Sequence, residues 1–248
     1  MPFTFAHPAI VLPFGRMIKN KLSLVGLVIG SLVPDFEYFL RLKVKSIYSH
    51  TVTGLFWFDL PLGLTIVLLY QYTIKNELIA HFHKTLKTRF IPFAGQHNNY
   101  TLKYIVILCI SVFIGAATHL LWDNFTHPTG YFVSRLPILS HSVDIIGYKF
   151  YNYNIVQHCS TIIGLVIILI IIIKLPKVSL VNTTPIISYW LNIILIAFII
   201  LIIRYFSGLS LNAYGDWIVS GISGFLSGLI IVSIFSSKHS PSQSVHQA

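Results

Sequence analysis

Five stretches of this chain are long and apolar enough to cross a bilayer, and they exclude most folds at once. They are Gly54 to Ile74, Leu102 to Phe125, His158 to Ile173, Ile186 to Phe206 and Trp217 to Phe235. Each approaches the roughly 20 residues that a helix needs to cross about 30 Å of hydrocarbon. Inside lipid the backbone must bond to itself, so such stretches form helices rather than open sheets. Leu22 to Leu40 reads as a sixth span, interrupted at Pro34. Pro8 to Lys19 is apolar but short, and at about 1.5 Å per residue it reaches only partway across. The chain is 55% hydrophobic and 10% charged, against about 25% charged residues in soluble domains. These features predict an all-α, polytopic helical membrane protein with six or seven apolar helices, one of them a short half-span. Residues 1–235 are expected to form a single integral membrane domain. The Ser-, His- and Gln-rich residues 236–248 are expected to be a disordered tail. Met1 to Ala6 lacks the charged start of a cleavable signal.

The formal charge is +10, from seventeen Lys and Arg against seven acids. No dense basic stripe or base-reading motif accompanies it, so nucleic acid is not an expected partner. The cations are expected to orient the loops and meet anionic membrane lipid. If the spans alternate, eleven Lys and Arg fall on one face and six on the other. The positive-inside rule makes the richer face cytoplasmic.

Against this background the acids and histidines stand out. His119 and Asp123 lie four apart at the end of the Leu102 span, which puts both on one helix face. An acid and an imidazole in an apolar helix cost free energy unless paired or metal-bound. Alone, the pair is as consistent with a helix-end hydrogen bond as with a ligand pair. Pro128 turns His127 out of the helix, so that it can fold back over the same place. Asp35 follows the Pro34 break, where it could equally cap a helix at the interface. Glu37 points away from Asp35 and reads as a surface or supporting residue.

His50 precedes the Gly54 span, His7 lies in Phe5-Ala6-His7-Pro8, and His158 opens the next span. Any one of these histidines would ordinarily be a cap or an interface residue. Alternating the spans, however, brings His7, Asp35, His50, His119, Asp123, His127 and His158 to one membrane face. Histidine and carboxylate are the donor types that zinc takes. His81, His83 and His97 fall in the basic loop on the other face. His141 and Asp144 read as solvated loop residues. Asp59 and the Asn212–Asp216 stretch read as helix caps, with substrate contact as the other reading. Cys109 and Cys159 read as small core residues. No Gly-x-Ser-x-Gly elbow, phosphate loop or His-Glu-x-x-His motif competes with this cluster.

The opening Met-Pro-Phe-Thr-Phe-Ala-His-Pro, with Pro-Asp-Phe-Glu-Tyr-Phe and His-Leu-Leu-Trp-Asp, resembles an uncharacterised bacterial family of polytopic membrane proteins. The order His7, Pro34-Asp35, His50, His119-x-x-x-Asp123, His127 also resembles the bacterial inner-membrane metal-dependent hydrolases. More distantly, it is similar to the zinc-dependent phospholipase C group. That likeness implies His7, Asp35, His50, His119 and Asp123 as ordered ligands, with Asp123 bridging two metals. His127 and either His141 or His158 would bind a further one. The late His-x-x-x-Glu pair of those enzymes is missing here, because Ile145 and Ile162 stand in the corresponding positions.

The expectation is a membrane-embedded hydrolase that uses a divalent metal, zinc by donor type. It would act on a phosphoester or lipid headgroup at the outer face of a bacterial inner membrane. Asp35 and Asp123 are the candidate catalytic carboxylates, and Arg41, Lys45 and Arg135 could steer an anionic headgroup. Two rival readings are a structural metal in a non-catalytic protein and a metal-ion transporter. Transport calls for polar groups continuing across the membrane, whereas the lower halves of these spans are almost purely Ile, Leu and Val.

Overall fold

The computed structural model of the chain describes residues 3–15, 21–95, 100–145, 147–179 and 187–237. His97, Lys238, His239 and His246 lie outside them, as does most of the expected tail; Ser236 and Ser237 are helical. Helix α1 covers Leu24–Leu32 and α2 covers Phe36–Arg41, with a 3-10 turn over Val33–Asp35 between them. Helix α3 covers Leu55–Ala80 and α4 covers Lys84–Phe90. Helix α5 is Leu102–Asp123; the short α6 and α7 are Tyr131–Arg135 and Pro137–Ser140. A small antiparallel hairpin, β1 (Ser142–Ile145) and β2 (Tyr148–Tyr151), precedes α8 (Asn152–Lys174). Helices α9 (Ile187–Phe206) and α10 (Tyr214–Ser237) complete the order.

Among the described residues the protein is thus helical apart from one hairpin and the connecting turns. Helices α3, α5, α8, α9 and α10 are long and apolar enough to cross a membrane, the signature of an integral membrane protein. The Leu22–Leu40 stretch is not one rod, because Pro34 has no N–H to continue the ladder and the chain tightens to 3-10 there. The N-terminal apolar piece is two 3-10 segments, Thr4–Ile10 and Leu12–Phe14. Helix α8 begins at Asn152, six residues ahead of the apolar run. The hairpin lies where the sequence predicts a loop, with Gly147 at φ 79° in its turn. Cys159 is exposed and Cys109 half-buried, so only Cys109 approaches a core position.

The contacts divide the chain into two compact units. The first holds residues 1–37, 46–67 and 99–175; the second holds 38–45, 68–98 and 176–248. In the first, α1 packs along α5 at backbone distance. A Cβ on Gly30 would strike the Val112 carbonyl, and one on Gly115 would strike that of Leu27. Small residues let helices in lipid approach this closely. Val33, Val112 and Ala116 are sealed in this contact. The Thr4–Ile10 segment packs on α1 and α8, and the Phe3 N–H donates to Thr161 Oγ1 at 3.0 Å. In the second unit α9 and α10 pair around Tyr189, Ile193, Leu229 and Val232.

Candidate metal centre

The close seam of α1 on α5 sets the first element of the site. His119 stands on the buried face of α5, and its Nδ1 donates to the Ser31 carbonyl at the end of α1, at 2.8 Å. That bond fixes the tautomer, so the lone pair sits on Nε2 and faces inward. Asp123, one turn on, is 6% exposed and shares the face.

The Pro34 break supplies the second element. The 3-10 turn delivers Asp35 into the same space, fully buried. Thr4 Oγ1 donates to its Oδ2 at 2.6 Å, which leaves Oδ1 to face the histidines. Three consecutive N–H groups, those of Ile47, Tyr48 and Ser49, donate to the Glu37 carboxylate, each at 2.9 Å. Glu37 is itself buried. Of the two roles open to it in sequence, it takes the supporting one: it clamps the loop that presents His50. Ser49 Oγ then bonds His50 Nδ1 at 2.9 Å and turns Nε2 inward.

Four donor atoms converge. His50 Nε2 lies 3.4 Å from Asp35 Oδ1 and 3.5 Å from Asp123 Oδ2. His119 Nε2 lies 3.6 Å from Asp35 Oδ1 and 3.4 Å from Asp123 Oδ2. A charge-assisted N–H···O bond would close to about 2.7–2.9 Å. Tetrahedral zinc, with bonds of about 2.0–2.2 Å, spaces its donors about 3.3–3.6 Å apart. Among the described residues, Asp35 Oδ1, His119 Nε2, both Asp123 oxygens and His7 Nε2 have no hydrogen-bond partner, although each is buried. Buried polar atoms rarely stay unsatisfied. The donor set and its spacing fit a divalent cation of the zinc type.

His7 stacks on His119, with ring centroids 3.7 Å apart and planes 13° from parallel. Its Nε2 lies 3.8 Å from Asp123 Oδ1. Two overlapping groups result, His7–His119–Asp123 and Asp35–His50–His119. His127 belongs to neither. Its Nδ1 donates to the Asp123 carbonyl at 3.1 Å and lies 3.8 Å from Oδ2, so it braces Asp123. Burial holds its imidazole below the usual value, which keeps it neutral.

His158 is exposed on α8 and in neither group, and His141 is exposed with its Nδ1 donating to the Ser142 carbonyl. Asp144 is exposed in β1, paired in register with Lys149. His81 and His83 also lie outside both groups. Asp59, which from its place in the sequence reads as a cap or a substrate contact, is fully buried, and its oxygens have no hydrogen-bond partner among the described residues. An acid inside an apolar span was the signal available for it.

Comparison with the curated proteins and with the solved structures returns no match. The model of one family, described as "Domain of unknown function (DUF4184)", matches residues 1–234. The chain therefore belongs to the DUF4184 family.

Proposed function

We propose that this protein is a membrane-embedded, metal-dependent hydrolase that acts on a phosphoester or lipid headgroup. The observation that carries the reading is the set of four inward-facing donors on His50, His119, Asp35 and Asp123, spaced at 3.4–3.6 Å. In this reading residues 1–235 form one membrane domain of six or seven apolar segments, with the N-terminal segment a half-span. The site lies toward the extracytoplasmic face of a bacterial inner membrane, and membrane lipid is its partner.

A zinc-type cation held there would polarise a phosphoryl oxygen and supply hydroxide near neutral pH. The chain's own residues do the rest. His119 presents its Nε2 lone pair in an orientation fixed by the Ser31 carbonyl, and Ser49 orients the His50 ring. Asp35 and Asp123 would hold the cation; if only one metal is bound, one of them could instead serve as general base toward the attacking water. His50 and His127 are the partly exposed members, at 18% and 28% of their side chains, and so mark the side from which substrate and water enter. Arg135, in the segment that follows the site, stacks on Tyr131 and could steer an anionic headgroup.

One observation favours a second reading. Were all four donors to ligate one ion they would fill a four-coordinate shell, which is the habit of structural zinc, whereas catalysis needs an open position.

Metal analysis of the full-length protein in detergent tests both readings. Wild type is expected to retain a zinc-type ion, and His119→Ala or Asp123→Ala to lose it. Wild type without metal would sink the proposal. Hydrolysis of phosphodiesters or phospholipid vesicles by wild type but not by these variants separates a catalytic ion from a structural one.

A further inference from the structure

The proposed centre leaves one carboxylate unexplained. Asp59 is fully buried, and neither of its oxygens has a hydrogen-bond partner among the described residues. It ends a π-helical stretch, Leu55–Asp59, at the start of α3. Such widened turns gather at functional sites.

Its direction can be read from its neighbour one turn on. A Cβ on Gly63 would meet Val33 at 3.3 Å and Val112 at 2.5 Å. Asp59 shares that face. From Gly63 back to Asp59 is about 6 Å of rise, and from Val112 on to His119 about 10 Å. His50, just ahead of α3, meets His119 near the end of α5, so both displacements run toward the site. Asp59 therefore lies about one helical turn beneath His119, between Val33–Asp35 and α5. Consistently, it interacts electrostatically with His50 and His119.

Charge decides what this requires. One divalent cation balances Asp35 and Asp123 and leaves Asp59 two outcomes, to stay neutral by holding a proton or to meet a second cation. A buried ion without a partner is penalised by several kcal/mol. The donors are also more than one cation needs. Asp123 turns Oδ2 to His50 and His119 but Oδ1 to His7.

We infer that the centre holds two divalent cations and that Asp59 supplies the negative charge that the second one requires. Shared between two cations, the donors need not fill the coordination shell of one, which leaves an open position for water or substrate. The pair carries a net charge of +1 with three carboxylates and neutral imidazoles, which suits an anionic phosphoester.

The inference rests on the metal-centre reading, and a titration separates the two. Metal-stripped full-length protein in detergent is titrated with zinc alone, then with manganese for electron paramagnetic resonance. Two zinc equivalents and an exchange-coupled manganese spectrum are expected in wild type. Asp59→Asn is expected to keep one equivalent and lose the coupling. One equivalent in wild type overturns this inference and leaves the mononuclear reading standing; none overturns both. Two equivalents in a folded Asp59→Asn overturn the role of Asp59, as would an Asp59 that simply holds a proton. If Asp59→Asn does not fold, Asp59→Glu keeps the charge on a longer arm. Its second equivalent should weaken by about 10–100-fold, and wild-type affinity there overturns the assignment.

Discussion

Each of the two units contains a buried polar cluster built from histidine, acid and hydroxyl groups, and the two clusters are built differently. In the second unit, Ser236 Oγ donates to Glu77 Oε2 at 2.6 Å, and Tyr189 shares a 2.9 Å bond with Ser233. His81 Nδ1 donates to the Glu77 carbonyl at 2.8 Å, and Trp190 Nε1 donates to the His81 carbonyl at 2.9 Å. The His81 ring stacks flat on Tyr189 at 4.2 Å. Apart from His81 Nδ1 and Glu77 Oε2, which stand 3.9 Å apart, these polar groups meet at hydrogen-bond length. In the first unit the donors stop at 3.4–3.8 Å, and Asp35 Oδ1, His119 Nε2 and both Asp123 carboxylate oxygens have no hydrogen-bond partner among the described residues. Contact distance suits a cluster that holds helices together, and the wider gap suits the ion proposed above. Histidine beside an acid in an apolar helix is common to both and distinguishes neither.

That contrast is open to breakage, and the largest expected effect is chelation. Stripping metal leaves Asp35, Asp123 and Asp59 buried together without a cation. An ion present at about a thousand times its Kd contributes roughly 4 kcal/mol. Chelation is therefore expected to lower the melting temperature by on the order of 10 °C. A melting curve indifferent to chelator would put the first cluster in the same class as the second. Next in size is Glu37→Gln, which weakens the clamp of three N–H groups behind His50. The expected cost is about 2–3 kcal/mol in stability and 10–100-fold in metal affinity; unchanged affinity would show that the loop needs no clamp. The smallest effect is Ser236→Ala, about 1 kcal/mol of stability with metal content unchanged. Metal loss in that variant would blur the distinction between the two clusters.

Much of the candidate site was legible in the sequence because helical spacing and hydropathy fix depth. His119 and Asp123 share a face by arithmetic, Pro34 announces the turn that delivers Asp35, and His50 and His7 fall at the right level. Hydropathy does not fix rotation about the helix axis. His158 has the expected depth but an exposed direction on α8, since no periodic polar stripe within its apolar run told one side from another. Glu37 was legible as an acid, yet its role depends on where the 47–49 backbone passes, which no local pattern encodes. Asp59 beside Pro61 looked like a cap because caps and buried acids share residue types. The close seam of α1 on α5 went unread, although Gly26-x-x-x-Gly30 has a spacing that lets helices touch. The hairpin at 142–151 was hidden by its shortness, at four residues a strand.

The donors come from far apart along the chain. Between His50 and His119 the chain leaves the first unit after Val67 and re-enters it at Asn99. A cation gripped by both histidines would tie the two stems of that excursion as a topological clip. Loop-closure entropy rises slowly with length, so a clip across so long a detour removes much of the freedom of the unfolded chain. Cys109 and Cys159 are not bridged. The ion would do for this fold what a disulfide does for others, and would be as reversible as the supply of metal.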